Sequence, residues 1–91
     1  MIVDYLTRET PLNIEIELVD GSTIKTVGDA ETYFRNLNAE QHQKSHWDTA
    51  VRMFAIAMRE PAYLRGATLS LENALALDRL IVRIQNGYLQ A

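Results

Sequence analysis

Leu12-Asn13-Ile14-Glu15-Ile16-Glu17-Leu18 alternates apolar and polar side chains without a break. That is the period-two pattern of a strand with one face in a core and its acids in water. Val19-Asp20-Gly21 interrupts it, and Ser22-Thr23-Ile24-Lys25-Thr26 resumes in extended character, so residues 11–27 read as a β-hairpin. The faces set the register. A two-residue Asp-Gly turn would pair Ile24 with Glu17 and leave an apolar side chain in water. A three-residue loop with Gly21 in the left-handed conformation instead pairs Ile16 with Ile24 and Glu15 with Lys25, and this longer loop is expected.

The period then changes. Thr26-Val27-Gly28-Asp29 has the form of a helix start, with Thr26 as cap and Asp29 completing a capping box. Ala30, Tyr33, Phe34 and Leu37 follow at helical spacing, giving a first helix over residues 28–37. Residues 38–45 are polar throughout and read as a loop or a frayed continuation. Trp47, Ala50, Val51, Phe54, Ala57 and Met58 form the apolar stripe of a second helix over 46–60. Ser45 is expected as its cap, Asp48 as the box partner and Pro61 as its stop. Gly66 makes 62–69 turn-like, and Ser70 then opens a third helix over 70–86 that ends at Gly87. On that helix Leu71, Ala74, Leu75, Leu77, Leu80, Ile81, Val82 and Ile84 leave mainly Glu72, Arg79, Arg83 and Asn86 for solvent. An arc so wide belongs to a central helix or to one shared with a partner.

The expected fold is therefore α+β: one small domain in the order β-β-α-α-α around a single core. Two strands alone make a weak sheet. Residues 1–10 are either flexible or an extra edge, with Ile2 to Leu6 as the candidate third strand, unless a second subunit supplies it; a homodimer is one expectation.

Composition narrows the function classes. The 91 residues are 47% hydrophobic and 23% charged, as in an ordinary globular domain. With no cysteine, disulfides, thiolate metal sites and thiol nucleophiles are excluded. No apolar run approaches the roughly 18 residues of a membrane span, and Met1-Ile2-Val3-Asp4-Tyr5 lacks a signal-peptide pattern, so a cytoplasmic location away from membranes is expected. The net charge of −3 disfavours nucleic acid as a partner. Five arginines at 52, 59, 65, 79 and 83 do make the second half slightly basic, a pattern typical of a solvated face.

Pro11, Gly21, the segment "TVGDAETYFRNL" with Asp29, Ala30 and Leu37, "HWDTAVRMFAIAM" with Trp47, Ala50 and Ala57, and "SLENALALDRLIV" with Ala74 and Leu80 resemble a family of small bacterial proteins catalogued only as a domain of unknown function. The likeness covers about residues 11–85. It implies a hairpin followed by three helices, and it implies no activity, cofactor or catalytic residue. The longer N-terminus and more polar middle loop depart from the family pattern.

His42 and His46 have the i, i+4 spacing that zinc sites use on a continuous helix, with Glu40 and Asp48 nearby. The expected cap at Ser45 breaks that continuity, and no third ligand stands at a recognised spacing, so an exposed loop histidine and a first-turn histidine are the plainer reading. Trp47 reads as a core anchor rather than a ligand platform. Met53, Phe54 and Met58 are core by spacing. Asp78 falls inside the apolar arc, so it is either paired (with Arg52 or Arg59, for example) or raised in pKa by burial, and such carboxylates concentrate at functional sites. Phosphate loops, nucleophile elbows and glycosidase-like acid pairs are not seen.

Two functions follow. One is a small interaction or regulatory module without cofactor or catalysis, self-associating or binding a protein partner through a surface that includes Leu77, Leu80 and Ile84. The other is a ligand- or metal-binding protein, or a minor enzyme, built on His42, His46 and Asp78. Convergence of those three residues on one concavity would favour the second, and a flat apolar surface on the last helix the first.

Overall fold

A computed structural model describes residues 6–82. Strands β1 (Pro11–Glu17) and β2 (Thr23–Thr26) form an antiparallel hairpin, followed by α1 (Val27–Arg35), the single-turn α2 (Ala39–His42), α3 (Ser45–Arg59), a 3-10 turn over Pro61–Tyr63 and α4 (Leu64–Leu77). The α+β order is as expected, with the short α2 added where the sequence suggested a loop. Asn38 and Gln41 close that turn with a reciprocal capping box.

In the hairpin Ile16 pairs with Ile24 and Glu17 with Thr23, and Gly21 takes φ 94°, as the three-residue loop requires. A bulge between Pro11 and Ile16 interrupts the ladder before the expected Glu15–Lys25 pair. Leu12, Ile16 and Leu18 face the core while Asn13, Glu15 and Glu17 face water. α1 begins as predicted: the Asp29 amide donates to Thr26 Oγ1 at 3.1 Å, and the Asp29 carboxylate accepts from the amides of Thr26 and Lys25. The amides of Val27 and Gly28 donate to the carbonyls of Thr10 and Arg8. Residues 6–10 thus strap the N-terminus of α1. A Cβ at Gly28 would stand only 3.0 Å from the Arg8 carbonyl oxygen, which explains the glycine there. Residues 2–5 of the expected edge strand lie outside the described residues, and Leu6 donates its amide to the Met58 carbonyl rather than to a sheet.

The bounds of two helices correct the sequence reading. α3 is capped at Lys44, not Ser45, and without a side-chain cap; Asp48 pairs with Arg52 at 2.9 Å instead of closing a box. The last helix runs over Leu64–Leu77, not 70–86. Gly66 does not break it, because the apolar row Leu64, Ala67, Leu71, Ala74, Leu75 continues through it, and a glycine costs a helix only about 1 kcal/mol. The glycine lies where a Cβ would meet the Met53 methyl at 3.1 Å, at the close approach of α3 and α4. Ala50 and Ala57 of α3 and Ala67 and Ala74 of α4 are fully buried, and small side chains of this kind let two helices approach closely.

The stop comes from a Schellman motif: the Leu80 amide donates to the Leu75 carbonyl and the Arg79 amide to that of Ala76. Arg79 supplies the left-handed residue, with φ 60°. The chain then turns onto the free edge of β1, where Val19 N–H donates to Leu80 O (2.8 Å), Val82 N–H donates to Glu17 O (3.0 Å) and Leu18 bridges Ile81. Residues 80–82 therefore supply an extra edge to β1. The buried side chains of hairpin and helices form one hydrophobic cluster. Among the described residues no helix is long and apolar enough to cross a membrane.

Candidate functional site: a carboxylate tie between two helices

Asp78 caps the C-terminus of α4 and lies outside the apolar stripe. Antiparallel packing brings this end of α4 to the first turn of α3. Trp47 Nε1–H donates to Asp78 Oδ2 at 2.8 Å, His46 Nε2 lies 3.0 Å from Oδ1, and Lys44 Nζ lies 3.4 Å from the same oxygen. The expected partner, Arg52 or Arg59, is thus replaced by three residues of one helix start. The Asp78 side chain is 10% exposed, His46 19% and Lys44 43%.

Burial pushes the Asp78 carboxyl up, but the hydrogen bonds from Trp47 and His46 and the charges of His46 and Lys44 more than offset it. Its pKa is held below the ordinary 3.8. The group is an ionised acceptor at neutral pH, which assigns the His46 proton to Nε2. A carboxylate at a helix C-terminus opposes the helix dipole. Here it stands beside the positive end of α3, and three donors stabilise it.

Trp47 explains why the tie is needed. It is fully buried, stacks on Tyr33 (centroids 5.8 Å apart) and meets Phe34 edge-on at 6.4 Å. Phe34 in turn meets Phe54 at 5.4 Å. The indole N–H is the one polar group of this anchor, and Asp78 satisfies it. Tyr33, partly buried and near the charges of Asp20 and Asp78, has its hydroxyl pKa raised.

Two of the three residues of the ligand-site reading therefore meet, and the third does not. His42 is exposed at the end of α2, and Gln43 and Lys44 separate that turn from α3, so the histidine spacing does not lie on one helix. Among the described residues no group of three histidines or acids is placed to hold a metal. A shallow depression of about 360 Å³ opens beside the tie, lined by Asn38, Gln41, Lys44, Leu77, Asp78 and Leu80 among others. Its lining does not include His46.

On the proposed α4 surface Leu77 is exposed, Leu80 packs half-buried on the core, and Ile84 lies outside the described residues. Glu72, read as solvent-facing, is 2% exposed. α4 packs between α3 and β1, so more of its girth is covered than a one-sided helix would show. The available signal was its i+4 step from Thr68, which is also buried and donates its hydroxyl to the Leu64 carbonyl.

On α3 the exposed large apolar side chains are Val51 (38%) and Ile56 (44%), and others stand elsewhere on the described surface, at Val19, Tyr63, Leu69, Leu77 and Val82. Between α1 and α3 lies a groove of about 310 Å³ lined by Glu31, Phe34, Arg35, Val51, Phe54, Ala55 and Met58. No protein-family model, no curated protein and no solved structure matches the chain.

Proposed function

We propose that the protein is a small cytoplasmic interaction module, of the bacterial family its hairpin and helices resemble, and that it acts by binding another polypeptide rather than by catalysis. The observation that carries this is the groove between α1 and α3, with the exposed Val51 in its lining. An open groove lined by Phe34, Val51, Phe54 and Met58 suits an apolar helix face laid along it. The reading built on His42, His46 and Asp78 loses its centre, because the Asp78 carboxylate is already engaged by Trp47, His46 and Lys44. The incomplete-sheet argument for a partner loses force too, since residues 80–82 lie along the free edge of β1.

A photoreactive benzoylphenylalanine in place of Ala55, expressed in the native host, tests the proposal. A discrete covalent adduct is expected from this position and not from one in place of Lys25, which is exposed on the hairpin. No adduct, or equal labelling from both positions, overturns it.

A further inference from the structure

We infer that residues 1–5 of this chain lie along the groove between α1 and α3; that they hold it against a partner rests on the interaction reading above. The strap over residues 6–10 crosses one end of the groove. The Leu6 amide donates to the Met58 carbonyl at 3.4 Å, and the Leu6 side chain packs half-buried on the core. Two residues on, Arg8 pairs with Glu31. Met58 belongs to the α3 wall of the groove and Glu31 to the α1 wall. The segment before Leu6 therefore starts at that end of the groove, beside Met58.

Length and chemistry fit the groove. From Met58 back to Val51, the α3 lining residues farthest apart, the helix rises roughly 10 Å. Five extended residues reach roughly 17 Å, enough to run that length. Met1-Ile2-Val3-Asp4-Tyr5 carries one acid among apolar and aromatic side chains. In extended form Met1, Val3 and Tyr5 share one face, which suits the aromatic lining of Phe34 and Phe54. Asp4 is the complement of Arg35, which lies on the α1 wall one turn beyond Glu31. Arg35 is exposed and makes no ion pair among the described residues, whereas Glu31 already holds Arg8. A segment tethered at Leu6 meets the groove at an effective concentration in the millimolar range, ahead of a dilute partner making similar contacts. A partner must therefore displace it, and the partner's apparent affinity falls with the fraction of chains whose groove is open.

Because the chain has no cysteine, Ile2→Cys accepts a single nitroxide label. In the amide NMR spectrum of the labelled chain, the strongest paramagnetic broadening is expected at Phe34, Ala55 and Met58. Val3→Asp in the same labelled chain puts a charge on the docked face and is expected to remove that maximum. Without the label, Val3→Asp is expected to raise the unfolding equilibrium constant about tenfold in chemical denaturation. Circular dichroism checks that the fold is kept. Broadening with its maximum elsewhere, or a Val3→Asp chain as stable as wild type, overturns the inference. The photoreactive residue at position 55 separates it from the interaction reading. Val3→Asp is expected to raise the yield of the adduct with another protein severalfold. An adduct whose yield Val3→Asp leaves unchanged overturns the inference and leaves the interaction reading standing. No adduct from either chain, with broadening centred on the groove, removes the interaction reading and leaves residues 1–5 in the groove.

Discussion

Asp29 and Asp78 each stand at a helix end, yet their surroundings are opposite. Asp29 sits in the first turn of α1, at the positive end of the dipole, exposed, with all its partners within four residues. Asp78 sits at the negative end of α4, its side chain 10% exposed, with partners 31 to 34 residues away in sequence. The first carboxylate shapes one helix and its contribution is that of a cap. The second gains its partners only when α4 docks on α3, so its contribution belongs to the tertiary structure.

Breaking the distal tie should have the largest effect. Asp78→Ala leaves a buried indole N–H without its acceptor and removes the hydrogen-bond partner of His46 and the counter-charge of Lys44, and is expected to cost about 3 kcal/mol in chemical denaturation. A loss no greater than that of a cap variant would erase the distinction drawn here. The pH dependence sharpens it. The folded pKa of Asp78 lies below its unfolded value, so its contribution is present above the ordinary aspartate range and is lost as pH falls through the folded pKa. Denaturation midpoints followed from neutral pH down below 3.8 should therefore fall less steeply in Asp78→Asn than in wild type.

The local cap comes next. Thr26→Ala removes the acceptor of the Asp29 amide and should cost about 1 kcal/mol. The smallest effect has the opposite sign. Arg79 holds a left-handed conformation that glycine adopts without strain, so Arg79→Gly is expected to stabilise by about 0.5–1 kcal/mol in the same assay. Destabilisation by that change would mean that the arginine side chain contributes more than its backbone strain costs.

The same contrast explains what could be read early. The hairpin, the Gly21 loop, the Ile16–Ile24 register and the Thr26–Asp29 box were legible because their partners are close in sequence or share one face. The stripe led by Trp47 was legible for the second reason. The last helix was misplaced at both ends. Gly66 carries a turn signal that tertiary packing overrides, and the stop at Arg79 carries no glycine or asparagine to announce it. Leu80-Ile81-Val82 continue an apolar run that suits helix and strand alike; pairing with β1 decides for the extended form. Glu72 reads as solvent-facing on a helix already read as central or shared, and packing of α4 against both α3 and β1 covers that position too.

By itself, then, the sequence determined the α+β class, the hairpin register near its turn, the start of α1 and the burial of Trp47. In each, the free energy is set by near neighbours or by a single periodic face. The tertiary structure alone decided that Asp78 meets Lys44, His46 and Trp47, that the chain after α4 lines the edge of β1, and that an aromatic-lined groove opens between α1 and α3. Those outcomes depend on which helix ends and sheet edges come together, and that is a property of the packed chain as a whole.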